Sequence, residues 1–253
     1  MKRFLAFYAA LAYLFLYAPL AVLGVFSFNS SRLSIWQGFT LSWYASVFRN
    51  SALAEGAVNS LVIAIVATLF ATVFGTLAAY GLWKRRLSWL TQSLYISLLT
   101  PEIVTGISLL ALFQWIFHFT HLHLGMVTVI LAHISFSLAY VVIVILARLR
   151  TFDVALEEAA LDLGADEWQT FLRITVPILA PGIIAAALLC FTVSFDDYVI
   201  TSLVAGVNSE TLPMIIYGMA RKGISPDINA LSMLITCGIG ICILLAGRLE
   251  QKA

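Results

Sequence analysis

The chain has 253 residues, 62% of them apolar and 11% charged, with a formal net charge of +1 and a mean hydropathy of +1.00. A soluble domain runs nearer ~45–50% apolar and ~25% charged, so these few charges cannot cover the apolar surface of a soluble globule. The composition excludes a cytosolic enzyme, a nucleic-acid binder and a disordered chain, and points to a polytopic membrane protein.

A membrane helix needs about 20 apolar residues. After Lys2 and Arg3 the next charge is Arg32, which predicts a first span over 4–28. Its basic start resembles a signal peptide, but the apolar run is too long and no small-x-small site ends it, so an uncleaved helix is expected. A second span is predicted over 57–83, between Glu55 and Lys84. No formal charge lies between Glu102 and Arg148. The patch His118-Phe119-Thr120-His121-Leu122-His123 and Gly125 divide that stretch into a third span over 94–117 and a fourth over 126–147. A fifth is expected from Pro177, past Asp196 and Asp197, to about residue 203, and a sixth over 227–248. Residues 1–56 then hold the first helix and an external loop, and 57–248 a core of five helices. Cys190, Cys237 and Cys242 all lie in apolar stretches; an odd, scattered set makes a poor disulfide framework, and packing is their expected role.

An even number of spans puts both termini on one side, and basic residues choose that side. With the termini inside, ten Lys and Arg fall on the inner side and four (Arg32, Arg49, Arg221 and Lys222) on the outer. Both termini and the long 148–177 loop are therefore expected to be cytoplasmic. That loop is polar but not featureless. Residues 154–163 are rich in the helix formers Ala, Leu and Glu. Gly164 can end this helix and Asp166 can cap a second one, with Gln169 at the third position beyond it. Trp168, Phe171 and Leu172 make an apolar stripe on the second helix. A loop that spends such residues on a folded unit is expected to dock on a partner; the plainer reading is a hairpin that only links spans.

Glu158-Ala159-Ala160, three residues, Gly164, nine residues, then Ile174-Thr175-Val176-Pro177 resemble the EAA loop of ABC importer permeases. That pattern is EAA, three, G, nine, I-x-L-P, with Val176 here in place of Leu. The likeness to the polyamine branch, in particular the second permease subunits of spermidine/putrescine importers, rests on Phe28-Asn29-Ser30-Ser31-Arg32, Trp36-Gln37-Gly38-Phe39, Trp43-Tyr44, Pro101-Glu102-Ile103-Val104, Phe195-Asp196-Asp197, Leu212-Pro213 and Ser225-Pro226-Asp227-Ile228-Asn229-Ala230-Leu231. The resemblance implies an all-α, six-helix type I (MetI-like) permease fold in the bacterial inner membrane. It implies that Glu158, Ala159, Ala160, Gly164, Trp168, Ile174 and Pro177 belong to a loop that sits in a groove of an ATPase subunit and passes its motion to the helices. It also implies a related second permease in a heterodimer, two ATPase subunits that hold ATP and Mg²⁺, an external substrate-binding protein, and no cofactor in this chain.

The residues themselves support that division of labour. Gly218 to Gly223 has the glycine spacing of a phosphate loop, but Ile224-Ser225 follows where Lys-Ser/Thr is required. No His-Glu-x-x-His or Gly-x-Ser-x-Gly is present. His118, His121 and His123 read as a wet interfacial turn, or alternatively as a metal site. His133, inside the fourth span, is expected to bond a neighbouring helix.

Glu102, Asp196 and Asp197 are the acids within membrane stretches. Each carboxylate near the bilayer centre costs about 2.5–3.5 kcal/mol on insertion scales, so such groups face a cavity or a partner rather than lipid. The aspartates lie roughly 27–29 Å along a helix that starts near Pro177, in its far half. A carboxylate pair with a third acid suits a flexible polycation. The competing reading is that the acids pair with basic residues of another subunit or cap helix ends. A permease for another small solute, an ion-coupled secondary transporter and a metal-dependent intramembrane enzyme are the rival functions.

Overall fold

The computed structural model describes residues 2–31, 35–120, 123–223 and 226–250. Among them every regular element is helical: α1 (Lys2–Phe26), α2 (Ser42–Arg49), α3 (Ser51–Arg85), α4 (Ser88–Leu99), α5 (Glu102–Thr120), α6 (Met126–Leu149), α7 (Ala155–Asp162), α8 (Glu167–Thr170), a π-helical turn (Phe171–Thr175), α9 (Val176–Asp196), α10 (Val199–Val204), α11 (Leu212–Arg221) and α12 (Pro226–Glu250). Five stretches of described helix are long and apolar enough to cross a membrane: Phe4–Phe26, Ser51–Arg85, Glu102–Thr120, Met126–Leu149 and Glu167–Asp196. The sixth predicted span is the single helix α12.

Two of the predicted spans are interrupted. The third does not run unbroken from residue 94: α4 ends at Leu99, Thr100 is extended (φ −69°, ψ 129°), and a new helix starts at Glu102. Pro101 is the cause, because its ring disfavours helical geometry in the residue before it. The fifth stops at Asp196, since Asp197 is extended (ψ 127°), and α10 is a separate helix. The second is longer than expected and begins at Ser51, where the Asn50 side chain accepts hydrogen bonds from the amides of Ala52 (3.1 Å) and Leu53 (3.4 Å).

Two compact units divide the chain, residues up to Ala54 with those from Ile215 on, and Glu55–Met214. In the first, α12 packs with α1 and α2. Its loop is organised by Asn29, which is fully buried. Asn29 donates to the Ile35 carbonyl (2.9 Å) and accepts from the Gln37 amide (3.0 Å), while Trp43 Nε1 donates to the Asn29 carbonyl (2.8 Å). Phe28 stacks between Phe39 and Tyr44, both ring centroids at 5.3 Å. This is the structural use of the Phe28-Asn29 and Trp43-Tyr44 pairs; Arg32 lies outside the described residues.

In the second unit α6 packs along α9, and α10 lies against α5 and α6. One apolar cluster joins α3, α6 and α9 through Ala71, Ala79, Val141, Ile145, Leu179, Ala186 and Cys190. A second joins α3, α5, α6 and α10 through Ile63, Phe113, Val129, Ala132, Ile200 and Val204. Cys190 is packed as expected, whereas Cys237 is exposed on α12, and the side chain of Cys242 lies outside the described residues. The segment after α10 is pinned to α3, with Asn59 donating to the Glu210 carbonyl (2.9 Å) and Ser60 Oγ accepting from the Leu212 amide (2.9 Å). At Gly206 the chain passes so close to the Leu124 carbonyl that an added methyl would overlap its oxygen. A backbone neighbour cannot rotate away. Gly206→Ala is therefore expected to cost about 1–3 kcal/mol or more, read as a lower melting midpoint in detergent. Gly81→Ala, where nothing beyond the helix's own backbone lies within 4 Å of the added carbon, should keep the midpoint or raise it.

Candidate functional site

The α6–α9 connection is a folded unit. The Asp153 carboxylate accepts from the Ala155 amide (3.0 Å) and opens α7. At the other end of α7 the Gly164 amide donates to the Leu161 carbonyl (2.9 Å) and the Ala165 amide to the Ala160 carbonyl (3.1 Å). These two bonds form a Schellman motif, which places Gly164 in left-handed geometry (φ 89°), where a side chain would strain the backbone. Asp166 caps α8, its carboxylate accepting from the Gln169 amide at 2.7 Å. The chain then passes through the π turn directly into α9, with Pro177 near the start of α9.

Glu158, Ala159, Gly164, Trp168 and Pro177 are exposed, while Ala160 and Ile174 are half-buried. Leu156, Leu161, Leu163, Trp168 and Leu172 also present their side chains outward, Leu163 at 89% exposure. The three residues of the apolar stripe do not share one environment. Phe171 turns inward and is buried, with Trp168 stacked on it at 5.6 Å and Tyr80 of α3 against it at 4.6 Å.

The structure also picks out a residue absent from the sequence reading. Glu157, next to Glu158, is 1% exposed and forms an ion pair with Lys84 of α3. Its Oε1 accepts from Tyr80 (3.1 Å) and from Thr175 of the π turn (2.6 Å). Burial opposes its charge, but the hydrogen bonds from Lys84 and Thr175, the Lys84 charge and the Tyr80 hydroxyl outweigh that cost. They hold the carboxyl below its ordinary value. Two adjacent glutamates on a short helix carry no sequence signal of which one faces inward.

The acids separate into two groups. Glu102 and Asp197 line one cavity of about 90 Å³ together with Ser97, Thr100, Thr105 and Tyr140. Asp196, at the end of α9, is exposed and does not line it. The Asp197 side chain is 5% exposed and caps α10. Its carboxylate accepts from the amides of Ile200 (3.3 Å) and Thr201 (2.8 Å) and from the Thr201 hydroxyl (2.7 Å). Fully buried His133 bridges three elements, hydrogen-bonded to Ser194 (2.7 Å) and Thr201 (2.9 Å), with Nε2 at 3.5 Å from Asp197. Carboxylates and hydroxyls around a small cavity form an environment that accepts cations and hydrogen-bond donors.

Residues 71–250 match the family of binding-protein-dependent transport system inner membrane components. The chain belongs to that family. It is 41% identical over 250 residues to the putrescine transport system permease protein PotI of Escherichia coli (strain K12), covering 96% of this chain and 89% of the relative. It is 39% identical over 244 residues to the spermidine/putrescine transport system permease protein PotC of the same strain, covering 95% and 90%. Among solved structures it matches a bacterial ABC transporter involved in the import of the acidic polysaccharide alginate with a TM-score of 0.75, at 18% identity, covering 100% of this chain and 97% of that one. It also matches the inward-facing MetNI methionine ABC transporter with a TM-score of 0.64, at 16% identity, covering 78% and 93%.

This inner-membrane component is thus a multi-pass permease with the MetI-like fold, a transport subunit rather than an enzyme. The 158–177 loop pattern and the Glu102, Asp196 and Asp197 positions all fall inside the matched stretch. Elsewhere in the permease, Gly218 lies within α11, so the glycine pair 218 and 223 forms no loop around a phosphate. His118 stacks edge-on against Phe119, and His121 lies outside the described residues, as does Ser225.

The ion pair at Glu157 makes a pH prediction. Its folded pKa lies below the unfolded value, so its stabilisation is present above about pH 5 and is lost as the pH falls through the folded value. In detergent, the melting midpoint of the unmutated permease should exceed that of Glu157→Gln near pH 7, and the gap should close on acidification. A gap unchanged down to about pH 3 would remove the carboxylate charge as its source.

Proposed function

We propose that this chain is one of two permease subunits of an ATP-driven importer for polyamines, working with two ATPase subunits and an external substrate-binding protein. Its names-alike relatives transport putrescine and spermidine, and the cavity between α5, α6 and α9 carries two carboxylates, Glu102 and Asp197. That shared cavity is the observation on which the reading rests. An extended polycation released by the binding protein meets oxygen acceptors and negative charge where lipid would offer none. ATP and Mg²⁺ bind on the partner ATPase; this chain contributes the passage and the loop that senses the ATPase.

Both termini and the 148–177 loop face the cytoplasm in this reading, in line with the bias in basic residues. The exposed Glu158, Ala159, Gly164 and Trp168 then form the surface that enters the ATPase groove, and the π turn and α9 carry its movement into the membrane. At the far end of α9, Asp197 holds the α9–α10 joint while presenting its charge to the cavity. Asp196 lies outside that cavity and serves nearer the entrance or against the second permease.

Two experiments test this. Single cysteines at Ser42 and Gln169, in a background lacking Cys190, Cys237 and Cys242, are treated with an impermeant thiol reagent in whole cells. Labelling at 42 and protection at 169 are expected; the reverse overturns the orientation. In proteoliposomes with the complete importer, Glu102→Gln and Asp197→Asn should each lower labelled putrescine uptake by about tenfold or more, the loss of one close charge contact in a low-dielectric passage. The affinity of the binding protein should not change. Uptake near the unmutated level in both variants, with normal abundance, would sink the acidic passage.

A further inference from the structure

We propose that Glu157 is the positioning residue that ties the coupling helix α7 to the membrane helices α3 and α9, so that a displacement of the loop moves all three together. The proposal rests on the coupling role given above to the 148–177 loop.

One buried carboxylate serves three elements. Its ion pair reaches Lys84 and its hydrogen bond reaches Tyr80, both near the end of α3, while Thr175 joins it to the turn that enters α9. Helix α7 has only eight residues, too few to hold its own geometry without tertiary support. Its apolar side chains give it little such support, since Leu156 and Leu161 are 45% and 42% exposed. Glu157 is the one α7 residue that is fully buried. Around it the α3 end is packed from several sides: Lys84 lies over the rings of Tyr80 and Trp83, each at 5.6 Å, and Trp83 meets Phe152 edge-on at 5.8 Å.

A half-buried pair is weak evidence for stability, because desolvation of the carboxylate offsets the attraction; its geometry, however, is demanding. The carboxylate is buried and held by three donors, so it cannot slide without leaving its charge unpaired, while the Lys84 end of the pair stays 42% exposed. That makes the junction stiff, and stiffness is what a lever needs. The neighbouring acids therefore divide the work: Glu158 faces outward toward the ATPase, and Glu157 faces inward toward the spans.

Removing Lys84 alone would strand the buried Glu157 carboxylate, whereas Lys84 itself is 42% exposed, so the decisive variant removes both charges. Lys84→Met/Glu157→Gln leaves no uncompensated buried charge and should assemble with the ATPase. Tyr80→Phe takes away one hydroxyl and keeps the ring on Phe171. The complete importer is reconstituted, and labelled putrescine uptake is measured per ATP hydrolysed. The double variant is expected to lose about fivefold or more in that ratio, and Tyr80→Phe about twofold, with ATPase co-purification unchanged. An unchanged ratio in both overturns the tie. Failure of both to assemble also overturns it, because Glu157 would then be holding the fold only. Gly164→Val separates this from the wider reading. If Gly164→Val uncouples transport while the double variant does not, the tie alone is wrong. If Gly164→Val leaves the ratio intact, the coupling role of the loop falls and the tie falls with it.

Discussion

Hydrocarbon contains no water to satisfy a backbone amide or carbonyl, and an open group there costs several kcal/mol. Helices therefore cross a membrane unbroken unless protein supplies the missing partners. Two apolar stretches break here, at Thr100–Pro101 and at Asp197, where the helices Glu102–Thr120 and Glu167–Asp196 begin and end, and Glu102 and Asp197 at those breaks line one cavity. Asp197 repairs its own break by accepting from the amides that begin α10, and His133 with Ser194 and Thr201 completes the repair. The polar cluster that a cation would meet is thus the same cluster that the interrupted helices require. Capping and cation-binding are not competing explanations for Asp197, since one carboxylate has lone pairs enough for both.

At the opposite end of α9 the constraint is different. The loop helices are short, and their ends are closed by local bonds: the Asp153 and Asp166 caps and the paired amides around Gly164. Such bonds define the shape of the unit without fastening it to anything. Fastening comes from Phe171 against Tyr80 and from Glu157 among Lys84, Tyr80 and Thr175. A loop that kept its shape but lost those contacts would be joined to the spans only through its two ends.

Much of this was legible in the chain because it depends on neighbours in sequence. The apolar runs located the spans, Gly164 and Asp166 marked the joint and the second cap, and the position of Asp196 and Asp197 at the far end of their helix followed from rise per residue. Pro101 was visible as well, but an uncharged stretch from Glu102 to Arg148 gave no reason to start a helix at Glu102 rather than earlier. Phe171 was grouped with Trp168 and Leu172 in one apolar stripe by spacing; of the three only Phe171, where the π turn begins, is buried.

Sequence alone determined the all-helical membrane class, the existence of a structured loop and the family pattern within it, since hydropathy, caps and glycine joints act over a few residues. Only the tertiary structure decided which member of each adjacent acidic pair is buried. Glu157 and Glu158, like Asp196 and Asp197, are identical in charge and nearly so in helix propensity, and each pair lies next to its twin. What distinguishes them is the direction of the side chain relative to helices that are distant in sequence: Lys84 for Glu157, and Glu102 and His133 for Asp197. Long-range packing sets that direction, and no local propensity encodes it.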